Sequence, residues 1–127
     1  MKNILIIGSN SFTGSHLVNL CLDKGFKVIG ISRSNEYPRV LLPYLYDSKD
    51  ITNFSFFKFD VNKDLDKILK ICDDHEPEII ANFAAQGEVR TSWQYPTQWY
   101  ETNTLAIVKL TDELRKRTYL KKYLTAS

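Results

Sequence analysis

The scarcities in this 127-residue chain exclude several classes of function. Cysteine is rare: Cys21 and Cys72 stand alone, with none of the spacings that hold a metal or cycle between thiol and disulfide. A reduced, cytoplasmic setting with two buried thiols is expected, and no metal site. An excess of one charge is also missing, since 17 Lys and Arg oppose 15 Asp and Glu to leave +2. A dedicated nucleic-acid binder would carry a strong basic face, so no nucleic-acid partner is expected. No run approaches the ~18 apolar residues of a membrane span. Met1 to Ile7 is too short for a signal peptide's apolar core, and no membrane partner is expected. What remains, 43% hydrophobic and 25% charged, is the composition of one ordinary globular domain over residues 1–127.

Short apolar runs alternate with helical patterns. Ile4–Ile7 reads as a strand covered on both faces, ended by Gly8. A helix follows from Thr13, with Leu17, Leu20, Cys21 and Lys24 on one stripe and Gly25 placed for a left-handed C-cap. Lys27–Ile31, Phe54–Phe59, Glu78–Phe83 and Lys121–Ala126 read as further strands. Between the second and third lies a long polar loop with a turn of helix near Val40–Leu45. Asn62 is placed to cap a helix with Leu65, Ile68, Leu69 and Cys72 on one face, and Pro77 lies beyond its end. The longest helix starts at Pro96 or Thr97 and keeps Tyr100, Asn103, Ile107, Leu110 and Leu114 in register to about Lys116. Such alternation implies an α/β fold, a doubly wound, Rossmann-type parallel sheet of five strands in the order 3-2-1-4-5. Ligands of such sheets sit off the carboxyl ends of the strands, where the winding reverses.

The segment Gly8-Ser9-Asn10-Ser11-Phe12-Thr13-Gly14 joins the first strand to the first helix. A diphosphate site there needs a tight bend and then backbone N–H groups at a helix N-terminus. Gly8 can supply the bend, and Gly14 lets the helix pack closely. A nucleoside-triphosphatase loop would need Gly-Lys-Ser/Thr, and no Lys occurs. A receiver-type signalling domain would need clustered acids after the first strand, and Ile7-Gly8-Ser9 has none. At the end of the second strand no acid precedes Glu36. Arg33, flanked by Ser32 and Ser34, suits a ribose 2′-phosphate and therefore NADP. The alternative is NAD, with Glu36 on the ribose diol.

The turn resembles the Gly-x-x-Gly-Phe-x-Gly turn of the extended short-chain dehydrogenase/reductase family, the nucleotide-sugar epimerases and dehydratases. Ser11 replaces that family's middle glycine; its Cβ would hinder the pyrophosphate, or its hydroxyl would add a hydrogen bond to it. The second strand's end resembles that of GDP-mannose 4,6-dehydratases, which use NADP. Asn82–Trp93 is similar to their Leu-Ala-Ala-Gln-Ser-His-Val-x-x-Ser-Phe stretch, with Gly87 and Glu88 replacing Ser and His. The resemblance implies cofactor contacts at Gly8, Asn10, Ser11, Phe12, Thr13, Gly14, Arg33 and Ser34, at Asp60 and Val61 around the adenine, and at Phe83, Ala84, Ala85, Gln86 and Gly87. It places Ser92 beside the sugar nucleotide, and implies a homodimer through the helix around residues 97–116.

The family's chemistry also needs a Tyr-x-x-x-Lys pair, in which an ammonium lowers the phenol's pKa. None of the seven tyrosines here has Lys four residues later. Thr125-Ala126-Ser127 resembles the start of the family's catalytic Ser-Thr/Ser-x-Glu segment, with Ser127 just before the catalytic position. The chain therefore reads as the cofactor-binding piece of a longer NADP-dependent nucleotide-sugar dehydratase or epimerase, truncated relative to the family. No catalytic residue is assigned within it, and alone it is expected to be inactive. The other reading is a non-enzymatic NAD(P)-binding redox sensor.

Overall fold

Four apolar residues in succession, Ile4–Ile7, can be buried together only if both faces of their strand are covered. In the computed structural model, which describes residues 2–46, 50–84 and 93–125 but not the side chains of Trp99, Thr102 and Asn103, they are. Strand β1 (Asn3–Ile7) sits at the centre of a five-stranded sheet. Around it lie β2 (Lys27–Ser32), β3 (Phe54–Lys58), β4 (Ile79–Asn82) and β5 (Lys122–Thr125), in the order β3-β2-β1-β4-β5. Every pairing is parallel, with Ile4 opposite Val28 on one side and Ile79 on the other.

Alternate residues of each strand go to opposite faces. Leu5, Ile7, Ile29, Ile31 and Ile80 pack under α2 (Leu65–His75) and α4 (Ala106–Leu114), through Ile68, Leu69, Cys72, Leu110 and Leu114. Ile4, Ile6, Val28 and Ala81 pack instead under α1 (Phe12–Asp23), through Val18 and Cys21, and under Leu42 and Tyr44 of two short 3-10 turns. Each large side chain so buried contributes about 1.5–3 kcal/mol. The two thiols lie on opposite faces; burial pushes Cys72 up to about 12 and raises Cys21 as well, so both stay protonated near neutrality.

Helix α1 closes with paired bonds from Gly25 N to Leu22 O and Phe26 N to Cys21 O, Gly25 taking the expected left-handed φ of 83°. Its buried face differs from expectation. Gly14, Ser15, Val18 and Cys21 are buried, while Leu20 is 53% exposed. Small residues at the helix start bring that edge down onto the sheet, and this rotates Leu20 outward.

Asn62 does not cap α2. Its N–H donates to Asp60 Oδ1 at 2.8 Å, and Asp64 N donates to Asp60 O at 2.7 Å. A turn therefore intervenes, and the helix starts at Leu65. The long helix is interrupted too. Short α3 (Pro96–Tyr100) meets a π turn over Glu101–Leu105 before α4, and Ala106 N bonds Glu101 O. One extra residue in the turn shifts the helix phase. Ala106, Leu110 and Leu114 are buried, whereas Tyr100, expected in register with them, is exposed.

Candidate functional site

At the carboxyl ends of β1, β2, β3 and β4 lies a cleft of about 150 Å³. Of the expected residues, Gly8, Asn10, Ser11, Arg33, Ser34, Asp60, Val61, Phe83 and Ala84 line it. Ala85, Gln86, Gly87 and Ser92 lie outside the described residues, as does Ser127.

The turn after β1 is built from glycines at two positions where a side chain could not stand. Gly8 has φ 86°, and a Cβ there would lie 2.9 Å from the Phe83 carbonyl carbon and 3.1 Å from Ala84 N. A Cβ on Gly14 would come within 2.1 Å of the Gly8 carbonyl oxygen. The start of α1 thus sits directly against the bend.

The structure bears on one of the two expectations attached to Ser11, that its hydroxyl serves the pyrophosphate. Its Oγ donates to Gly8 O at 2.7 Å and accepts from Gly14 N at 2.9 Å, so it caps α1. Its single proton is committed to the protein, and none is left for an anionic oxygen. The turn's other amides are committed too: Gly8 N and Ser9 N to Ile31 O, Asn10 N to Ser32 Oγ, and Ser11 N to Gly8 O. Only Phe12 N and Thr13 N have no acceptor among the described residues. Phe12, Thr13 and Gly14, also expected, do not line the cleft; the Phe12 ring is 81% exposed and rests on His16.

Ser11→Gly should barely destabilise the helix, by a few tenths of a kcal/mol, because glycine is a tolerated N-cap. It would free Gly14 N–H as a third donor. The expected result, read by calorimetry, is dinucleotide affinity equal to or tighter than wild type.

On the second strand's side, Arg33 is exposed and lines the cleft, with no hydrogen bond or ion pair to a described residue. Glu36 stands apart: its carboxylate accepts a 2.7 Å hydrogen bond from the hydroxyl of wholly buried Tyr44, and it does not line the cleft. Burial first, then this carboxylate, drives the Tyr44 hydroxyl far above its ordinary pKa, so it remains a donor. Asp60 spends one carboxylate oxygen on Asn62 N, and its backbone N–H donates to Asp64 Oδ2 at 2.8 Å.

Asn82 Oδ1 accepts from Ala84 N at 2.9 Å, while its Nδ2 donates to Tyr123 Oη at 2.9 Å. These bonds hold the chain as it leaves β4 for the cleft. Ile7 and Ser32, which close their strands where ligands of such sheets sit, also line the cleft, as do Tyr37 and Phe59, which were not expected. Ile7, Ser32 and Phe59 are neighbours in sequence of expected residues at strand ends. Tyr37 lies in an irregular loop, where no periodic signal points to it.

A family model described as GDP-mannose 4,6 dehydratase matches residues 5–127. The chain belongs to the GDP-mannose 4,6-dehydratase family. It is 33% identical over 108 residues to Protein CapI of Staphylococcus aureus, covering 84% of this chain and 32% of that one. It is 26% identical over 117 residues to the GDP-mannose 4,6-dehydratase of Yersinia enterocolitica, covering 91% and 32%. Among solved structures, the UDP-glucose 4-epimerase of Thermotoga maritima superposes with a TM-score of 0.80 at 26% identity, over 98% of this chain and 37% of that one. The family member described here therefore spans about a third of the length of these relatives, and its fold is the Rossmann-type unit of the nucleotide-sugar epimerases and dehydratases. Among the described residues no helix is long and apolar enough to cross a membrane.

Proposed function

We propose that this chain is the NADP-binding portion of a nucleotide-sugar 4,6-dehydratase or epimerase. The observation that carries the reading is the end of β2: Arg33 and Ser34 face the cleft without a carboxylate beside them, and Glu36 is held elsewhere by Tyr44. A dianionic 2′-phosphate suits an unpaired guanidinium flanked by a hydroxyl. A ribose diol would need an acid at the end of β2, where Arg33 and Ser34 line the cleft instead.

The remainder of the cleft fits the rest of such a cofactor. Phe12 N and Thr13 N, at the start of α1, supply two unspent donors and the positive end of the helix dipole for a pyrophosphate. The free oxygen of the Asp60 carboxylate is available to an adenine amino group, with Val61 against the ring. Ala84, beyond β4, is small enough to let a cofactor cross that strand end. When bound, the nicotinamide supplies a hydride acceptor for oxidation of a sugar carbon. The 127 residues hold no Tyr-x-x-x-Lys to take the hydroxyl proton, so this chain binds and does not turn over.

NAD-bound proteins occur among the structural neighbours, such as the UDP-glucose 4-epimerase of Brucella ovis at 20% identity, so cofactor choice needs direct measurement. Calorimetric titration of the chain with each dinucleotide is expected to give NADP an affinity about tenfold above NAD or more. Equal affinities would overturn the choice of NADP. Absence of binding to either would overturn the whole reading.

A further inference from the structure

Arg33 is exposed and makes no bond to a described residue, yet both sides of it are tied to one residue, Asn10: Ser32 through its backbone, Ser34 and Asn35 through its side chain. Asn10 is 5% exposed. Its backbone N–H donates to Ser32 Oγ at 3.0 Å. Its Nδ2 reaches past Arg33 to Asn35 O at 2.9 Å, Ser34 Oγ at 3.2 Å and, more weakly, Ser34 O at 3.4 Å. Carbonyl oxygens face this end of the amide, so it must be the NH₂, and the orientation of the group follows. The opposite end, Oδ1, is buried with no donor among the described residues. An acceptor left like that is unfavourable in the free protein.

The geometry points to Asn10 as the positioning residue for NADP selectivity: it belongs to the pyrophosphate turn, yet it clamps the segment that presents Arg33 and Ser34 to the 2′-phosphate. The inference rests on the NADP reading above and deepens it. A long, unpaired Arg on a loose segment must be ordered when it binds, and a clamped backbone removes most of that cost beforehand. NAD has no 2′-phosphate and gains nothing from the clamp. Loss of Asn10 should therefore affect one dinucleotide and spare the other, which a general weakening of the turn would not do.

The test is calorimetry on the 127-residue chain with NADP and NAD, comparing wild type, Asn10→Ala, Arg33→Ala and the double variant. Asn10→Ala should weaken NADP about three- to tenfold and leave NAD within about twofold. In the double variant NADP should bind no more weakly than to Arg33→Ala, since the clamp acts through that side chain. Asn10→Ser keeps a short polar side chain but cannot span to Asn35. It should behave like alanine, and it replaces alanine if that variant does not fold. Equal losses for both dinucleotides, full additivity with Arg33→Ala, or failure of both Asn10 variants to fold would overturn the role. A wild type without NADP preference, or a preference untouched by Arg33→Ala, would overturn the NADP reading and this inference with it. Should Arg33→Ala abolish the preference while Asn10→Ala keeps it, the inference alone fails.

Discussion

Gly14→Ala is expected to cost ~3 kcal/mol or more and to lower Tm by about 10 °C or more. The new methyl would sit 2.1 Å from the Gly8 carbonyl oxygen and 2.9 Å from its carbonyl carbon. Both are backbone atoms of the bend, which is itself pinned by Gly8 N to Ile31 O at 2.7 Å. Relief requires α1 to lift from β1, and that breaks the Ser11 cap and turns the Phe12 and Thr13 amides away from the cleft. Binding should be lost along with stability. Gly25→Ala provides the contrast within the same helix. No atom lies within 4 Å of a Cβ there, so only the left-handed φ of 83° is strained. That variant should cost about 1 kcal/mol and leave binding intact. Thermal melts with calorimetry on both variants separate close approach at the site from backbone preference at the cap. If Gly14→Ala melts within a few degrees of wild type, α1 is not seated against the bend as described.

Arg33→Glu should lower NADP affinity about a hundredfold and reverse the preference toward NAD. Loss of a charge-assisted contact accounts for ~1.5–3 kcal/mol. Repulsion between carboxylate and phosphate adds ~1 kcal/mol at 4 Å in a water-like medium. Together these, ~2.5–4 kcal/mol, amount to at least about two decades in the dissociation constant. Because Arg33 is exposed, the effect should shrink as salt rises. Arg33 has no bond to a described residue, so folding should change by no more than ~0.5 kcal/mol. Titrations with both dinucleotides at two ionic strengths check each part. An NADP affinity that survives charge reversal would place the 2′-phosphate elsewhere.

The sheet was legible because its strands are short runs of Ile, Val and Phe ended by Gly, Ser, Asn or Asp, and because helices alternate with them. The strand order and the cleft's position follow from winding rules once that alternation is recognised. Helix faces were less legible. In α1 the contact edge is decided by Gly14 and Ser15, which no apolar count weighs, so Leu20 was expected inside and lies half outside. In the long helix a single π turn breaks the phase between Tyr100 and Leu110, and a fixed period of 3.6 residues cannot anticipate it. Asn62 is a good capping residue in composition, but the turn closed by Asp60 on Asn62 N and Asp64 N delays the helix to Leu65, three residues on.

At the site, the strand ends Gly8, Arg33, Asp60-Val61 and Phe83-Ala84 could be named from the sequence and all line the cleft, while the contact expected of each came from the family resemblance. Ser11 could be singled out but not interpreted: whether its hydroxyl serves the ligand or the helix depends on distances to Gly8 and Gly14. The Asn10 contacts were invisible for a different reason. They join residues from two separate strand–helix connections, and only the parallel pairing of Ile7 with Ile31 brings these together.

Placing β1 between β2 and β4 also constrains how the molecule is made. Asn3–Ile7 precedes the other four strands in the chain, and its partner Ile79–Asn82 leaves the ribosome only after two helices and two other strands. Until then one row of β1 amides and carbonyls has no strand to pair with, in the most apolar strand of the nascent chain. Pairing of such distant segments is slow, and an open apolar edge in the meantime invites self-association. Recovery of soluble protein should therefore respond to growth temperature and chaperone supply well before it responds to ligand.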